Sequence, residues 1–418
     1  MSNTLEDKAF DALTGQEAED RSVGSEEPGN FLRHAASLSM TKVADGLIDP
    51  KLVLSWLLNM LGASSVFVGL LVPIREAGAL LPQLFTSARI ARMRQRKWAW
   101  SAGSLGQGLA AAGIVLAALV LEGAAAGAVI CALLAVLAVA RSVCSVSYKD
   151  VLGRTVGKSR RGTATGFASS AAAVGVIVFA LLLMFFGDNR MTLVIGALSL
   201  AAAFWVAAAV LFSTLKEKSE RGDAEARSIA AQMTLLKEDP QLVRFIVVRG
   251  LLVSTALAPP YLILLGAEGF DRLGALVLAS ALASLVSSYV WGRLSDRSSR
   301  RVLQLSGVVG AVALLAALGV SALGLAAWGL PVVLFVLMIA YHGVRQGRST
   351  YLVDMAPEDD RAAYTAVANT VIGVLLLASG LFGALASMAG AWVTVLLFAV
   401  MALGAAVVAQ GLDEVEDG

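Results

Sequence analysis

The chain has 418 residues, of which 57% are hydrophobic and only 15% charged, and its mean hydropathy is +0.76. A soluble domain of this length carries far more surface charge, so composition excludes one and fits a polytopic helical membrane protein. The formal net charge of +2 decides little; where the charges fall along the chain decides more.

Residues 1–35 are polar and acidic, with Glu6, Asp7, Asp11, Glu17, Glu19, Asp20, Glu26 and Glu27, and are expected to form a disordered cytoplasmic tail. The next run, 36–58, is apolar overall but holds Lys42, Asp45, Asp49, Pro50 and Lys51. With 65–88 it gives two membrane helices of about 20 residues each, joined over 59–64. An interfacial helix followed by one long span is the alternative. The second helix carries Pro73, Arg75, Glu76, Pro82 and Gln83, and Arg89, Arg92, Arg94, Arg96 and Lys97 then mark a cytoplasmic loop. Helices follow at 99–120, 125–146, 164–186 and 191–214, and Lys149, Arg154, Lys158, Arg160 and Arg161 mark the loop between the second and third of these as cytoplasmic. The opposite loops are short and nearly free of cations.

Residues 215–241 mix both signs of charge and form the only long polar insertion. Six further apolar helices follow at 242–265, 273–291, 302–323, 329–352, 362–386 and 389–410, before an acidic end at 411–418. Pro259-Pro260 breaks or bends the first of them. The count is twelve, which puts both termini in the cytoplasm of a multi-pass protein of the cell inner (plasma) membrane. Trp56, Trp98, Trp100 and Trp328 fall at expected interfaces as anchors. Cys131 and Cys144 read as small apolar fillers, and His34 and His342 cannot form a metal cluster alone. No phosphate loop of the G-x-x-x-x-G-K-[S/T] type occurs, so no cofactor, metal or ATP-driven cycle is expected. No nucleophile–base set emerges, so the chain does not read as an enzyme, and no nucleic-acid partner is expected.

Between the eighth and ninth helices the chain reads Gly-Arg-Leu-Ser-Asp-Arg-Ser-Ser-Arg-Arg, from Gly292 to Arg301. Four arginines make this a cytoplasmic turn, but they do not account for Gly292, Leu294 and Asp296 at those offsets. The stretch resembles the signature loop of major facilitator superfamily transporters, matching at Gly292, Leu294, Ser295, Asp296, Arg297, Arg300 and Arg301 and departing at Ser299. The resemblance implies an all-α membrane fold of twelve transmembrane helices in two six-helix halves, 36–214 and 242–410, joined by a cytoplasmic linker at 215–241. An internal echo agrees: Tyr148, Asp150 and Arg161 precede the fifth helix as Tyr351, Asp354 and Arg361 precede the eleventh. The first-half loop lacks Gly-x-Leu-x-Asp. In the family, the loop aspartate meets a neighbouring helix end, which places Asp296 opposite the start of the eleventh helix near Arg361.

Charges at membrane depth are costly and call for a reason. Lys42, Asp45 and Asp49 share one helix face, so Lys42 is positioned to pair with Asp45 while Asp49 faces a cavity. Arg75 and Glu76 point in different directions, and each is expected to meet a partner on another helix. With Arg141 and Arg249 these are the candidates for substrate binding and proton coupling; fixed structural ion pairs are the competing reading. The resemblance implies a permease that moves a small-molecule substrate by alternating access, with protons and the lipid bilayer as its other partners and the monomer as the functional unit. An uncoupled facilitator, or a sensor or scaffold that kept the fold and lost transport, are the alternatives.

Overall fold

Helices account for most of the residues in the computed structural model, which describes residues 10–11, 26–219, 233–265, 272–295, 297–357 and 361–415. Among the described residues there is no strand. The first helix is built in two pieces, α1 (Glu27–Leu47) and α2 (Val53–Met60). Pro50 lacks an N–H and cannot continue α1. Asp49 closes the break instead: its Oδ1 accepts from Lys51 N–H at 2.6 Å, and its carbonyl accepts from Val53 and Leu54 N–H at 2.9 and 3.1 Å.

The predicted disordered tail is corrected over residues 27–35, because the helix begins at Glu27. Glu27 is buried, and its carboxylate accepts from Gly157 N–H at 2.7 Å and pairs with Arg160 at 3.2 Å. Those partners lie 130 residues away along the chain, so an acidic composition alone hides them. Phe10 is also buried, its ring edge-on to Phe31 at 5.3 Å. Residues 1–9 and 12–25 lie outside the described residues.

The predicted second helix divides near Pro82 into α3 (Ser65–Leu80) and α4 (Gln83–Ala91). α5 (Lys97–Val120), α6 (Gly123–Thr155), α7 (Lys158–Phe185) and α8 (Arg190–Ser213) follow. The expected linker is described only in part: 215–219 has no regular structure and 220–232 lies outside the described residues. A short α9 (Leu235–Glu238) leads to α10 (Pro240–Leu257), whose N-cap Asp239 accepts from Gln241 and Leu242 N–H at 2.8 and 3.1 Å. α11 (Pro259–Leu265) begins at the break that the double proline predicts. Then come α12 (Leu273–Ser295), α13 (Ser299–Ala322), α14 (Ala326–Met355), α15 (Arg361–Ala378), α16 (Leu381–Ala389) and α17 (Ala391–Val408). Among the described residues, nine helical segments are long and apolar enough to cross a membrane. The other three of the expected twelve are α1–α2 and α3–α4, which are broken and carry charge, and α12, whose apolar run over Leu273–Ser287 is shorter.

The packing explains why the sequence shows an echo. α1 packs on α7 and α8, α3 on α6, and α5 on both α6 and α8. The second set repeats this: α10 on α15 and α17, α12 on α14, and α13 on both α14 and α17. Equivalent glycines let backbones approach at two of these crossings. A Cβ on Gly108 would stand 3.0 Å from the Ala202 carbonyl oxygen, and one on Gly307 would stand 2.8 Å from that of Ala402. The helix ends repeat too. Glu217, after α8, accepts from Arg96 and Lys97 N–H at the start of α5 (3.1 and 2.9 Å). Glu414, after α17, accepts from Ser298 Oγ at the start of α13 (2.7 Å). Arg161 donates to Gly153 O at 2.6 Å and Arg361 to Val353 O at 3.0 Å, each reaching back eight residues.

The two sets meet where α7 packs on α12 and where α3 packs on α15 and α16. Outward faces are apolar: Leu109, Leu116, Leu119, Leu315 and Val400 are exposed, as contact with lipid requires. Trp98 and Trp328 are exposed as expected of anchors, but Trp56 and Trp100 are buried, Trp100 stacked on Phe212 at 3.9 Å.

Candidate functional site

The face of α1 that carries Lys42 and Asp45, with Asp49 in the turn just after it, looks into the interior of the bundle. Asp45 is the hub. Its Oδ1 accepts from Arg75 Nη2 of α3 at 2.5 Å, and its Oδ2 accepts from Arg141 Nη1 of α6. Arg75 lies ten residues past the start of α3, roughly 15 Å along it, which is about half of a ~30 Å hydrocarbon core. Two guanidinium forks aimed at one carboxylate outcompete a neighbour on the same helix. Lys42 therefore does not pair with Asp45; it donates to Ser169 Oγ at 2.6 Å and Thr165 O at 3.3 Å on α7. Arg75 is 8% exposed, and its Nη1 finds no hydrogen-bond partner among the described residues. Asp49 lines the interior as expected, but its carboxylate is spent on the Asp49–Lys51 turn.

Glu76 points away from Arg75, toward the second set of helices. The charges acting on it are Lys51, Arg348, Arg345 and Arg75. Lys51 lies with its Nζ 3.6 Å from the centre of the Tyr341 ring, and Arg345 reaches the same ring at 5.9 Å. Tyr341, Arg345 and Arg348 follow i, i+4, i+7 spacing and so share one face of α14. Arg249 on α10 donates to Asn369 Oδ1 of α15 at 2.9 Å; it is 5% exposed, and its Nε has no partner among the described residues. Asp45, Asp49, Lys51, Arg141, Tyr341 and Arg345 line a cavity of about 390 Å³ between the two sets of helices.

On one side the cavity is closed. At the end of the bundle whose loops are poor in cations, α3 and α16 touch backbone to backbone. A Cβ on Gly69 would lie 2.4 Å from Gly383 Cα and 2.7 Å from Tyr261 Oη. One on Gly383 would lie 2.9 Å from Val66 O. At the same end Gly274 of α12 abuts the Met184 backbone nitrogen of α7, a Cβ there standing 2.8 Å away.

The sequence pattern described as "Major Facilitator Superfamily" matches residues 40–374. The chain belongs to that superfamily. Its fold is shared by solved transporters of low sequence identity. A POT family transporter in complex with 5-aminolevulinic acid superposes with a TM-score of 0.71 at 11% identity, over 94% of this chain and 98% of that one. A D-xylose-proton symporter gives 0.69 at 13% identity, over 92% and 98%. The inward-open xylose transporter XylE from E. coli gives 0.66 at 11% identity, over 91% and 95%. No curated protein matches the chain by sequence.

With the superfamily shown, its signature stretch can be placed. Gly292 and Leu294 lie in the last turn of α12 rather than in a loop, because α12 runs to Ser295 and α13 starts at Ser299. Asp296 lies outside the described residues. Arg297 is exposed. Arg300 pairs with Glu414 at 2.8 Å and donates to Leu412 O at 3.1 Å, and Arg301 stands 3.8 Å from Glu414. The arginines of this stretch thus hold the segment after α17, a partner that sequence reading missed. The first half lacks the aspartate of the motif but keeps an ion network in its place: Arg96 pairs with Asp150, which also meets Arg154 at 3.0 Å.

Sequence reading brought together Asp45, Arg75 and Arg141 only as separate candidates. It passed over Tyr341 and Arg348, and it gave Arg345 no place at the cavity. The one-face spacing of these three on a membrane helix was the available signal.

Proposed function

We propose that this chain is a secondary active transporter that moves a small solute by alternating access and couples that movement to protons. The observation that carries the reading is Asp45, held between Arg75 and Arg141 on the wall of a cavity at mid-bundle depth. Coupling requires a carboxylate whose cationic partners change between two states. Asp45 and Glu76 are two such groups, since each faces cations borne by other helices. The superfamily membership and the symporter likeness support the same reading.

In this proposal all twelve segments span an inner membrane, both termini and the 215–241 linker are cytoplasmic, and the monomer is the working unit. The basic ends of α4, α6 and α12 support that orientation through the excess of arginine and lysine there. Asp296 opposite Arg361 remains part of the proposal as a gating contact. The Arg96–Asp150–Arg154 network answers the feature that suggested a transport-inactive scaffold, the missing first-half aspartate.

The test is solute uptake into proteoliposomes under an imposed pH gradient. Glu76→Gln is expected to stay folded and to lose the dependence of uptake on the gradient, because its neutral amide no longer exchanges a proton. Unchanged gradient dependence in Glu76→Gln, together with gradient-independent uptake by the parent, would instead favour an uncoupled facilitator.

A further inference from the structure

Charges around the cavity do not balance. One carboxylate, Asp45, stands between two guanidiniums, so that group of three keeps a positive charge. Asp49, just past α1, lines the cavity as a second negative charge, its Oδ1 accepting from Lys51 N–H. Across the cavity Lys51 and Arg345 flank the Tyr341 ring, with Arg348 a turn further along α14. Among the described residues none of these three cations forms an ion pair within 4.0 Å, and Glu76 is a carboxylate near enough to act on all three.

Behind the cavity wall, Arg75 of that group of three and Arg249 of α10 have buried donors, Nη1 and Nε, that nothing among the described residues satisfies. Like charges gathered in a low-dielectric interior repel strongly, and a buried unpaired donor costs about 1–3 kcal/mol. Lys42, Lys51, Arg141 and Arg345 line the cavity against only Asp45 and Asp49, and a bound counter-charge relieves that excess.

We propose that the cavity takes a small organic anion, held through carboxylate or phosphate oxygens by Lys51 and Arg345 from one side and by Arg141, backed by Arg75, from the other. Planar guanidinium forks suit either oxyanion, and the lysine supplies a mobile point charge. The cavity volume, about 390 Å³, fits a metabolite of a few carbons rather than a peptide or a lipid. Val176, Val277 and Met338 line the cavity beside the charged end, so the anion carries a short organic body. The arrangement leaves a cationic solute without a counter-charge and a neutral one without a use for the excess.

This rests on the transport reading only for the word substrate; binding itself can be measured without transport. The experiment follows the melting temperature of the purified full-length protein with matched probes at equal ionic strength: succinate, citrate, glycerol 3-phosphate, inorganic phosphate, succinamide, glycerol and putrescine. Anionic probes are expected to raise Tm by roughly 3–6 °C when well above their Kd, while succinamide, glycerol and putrescine leave it unchanged. Succinate and citrate winning over the phosphates assigns a carboxylate; the reverse order assigns a phosphate. Lys51→Gln and Arg345→Gln are expected to reduce the shift at fixed probe concentration to less than half. Lys218→Gln, an exposed lysine outside the cavity, retains it. Stabilisation by succinamide, glycerol or putrescine, or no anionic probe shifting Tm, or an anion shift that survives Lys51→Gln and Arg345→Gln, overturns the proposal. A failure of pH-driven uptake with the anion shift intact would count against proton coupling and leave this assignment standing.

Discussion

Asp45→Asn is expected to cost stability as well as transport. The asparagine removes the negative charge that holds Arg75 and Arg141 and leaves two guanidiniums facing each other in the bundle. Breaking a buried pair by removing one partner costs about 3–5 kcal/mol. The Arg141 side chain is 40% exposed toward the cavity, so its share is smaller and the total falls to about 2–4 kcal/mol. The double pairing makes Asp45 structural as well as a candidate for coupling. A second substitution separates the two effects. In Asp45→Asn/Arg75→Met the excess charge is removed with its partner, so folded yield should recover by most of the loss while uptake stays at background. Coupling of this kind between neighbours is what a double-mutant cycle measures. Recovered yield with recovered uptake would show that Asp45 is a structural anchor only.

The second large effect is at the closed end of the cavity. Gly383→Leu is expected to keep the protein folded and to reduce uptake by more than tenfold. Its Cβ would meet the Val66 and Ser65 carbonyl oxygens at 2.9 and 3.0 Å, and backbone cannot step aside as a side chain can. Overpacking of this kind costs about 1–3 kcal/mol, and it is felt only in the state where α3 and α16 touch. That amount shifts a two-state equilibrium by about five- to a hundredfold. The variant should therefore favour the state open at the cation-poor end. A cysteine placed at Ser280, which lines the cavity, should then react faster with a membrane-impermeant reagent added at that end. Parental uptake in Gly383→Leu would show that this contact does not open during transport.

Much of this fold is legible in the sequence because bilayers impose simple rules. Apolar stretches of about 20 residues, basic loops and prolines located most helices and the break at Pro259, while 65–88 read as one helix and its division near Pro82 was missed. What stayed hidden was set by distant partners. Glu27 reads as tail because its acid-rich neighbours say so, while its contacts to Gly157 and Arg160 are invisible locally. Lys42, Asp45 and Asp49 all line the cavity although α1 ends before Asp49, and Lys42 does not pair with Asp45, since Arg75 and Arg141 arrive from other helices. The α15–α16 break near Gly380 carries no proline and was missed. Arg345 and Arg348 sit toward the basic end of α14, where the positive-inside rule already accounts for arginines, so their place beside the cavity drew no notice.

The central claim is that the two sets of helices rock about the cavity, opening one end as the other closes. The most direct measurement is a pair of spin-label distances in lipid nanodiscs. One pair, Glu122→Cys with Leu325→Cys, spans the cation-poor end; the other, Lys149→Cys with Val353→Cys, spans the basic end. These four positions are exposed, and Cys131 and Cys144 are replaced first. Two distances are expected at each end, and a change of pH or addition of an anionic probe should lengthen one pair's average while shortening the other's. A single, unchanging distance at both ends under every condition would contradict alternating access in this chain.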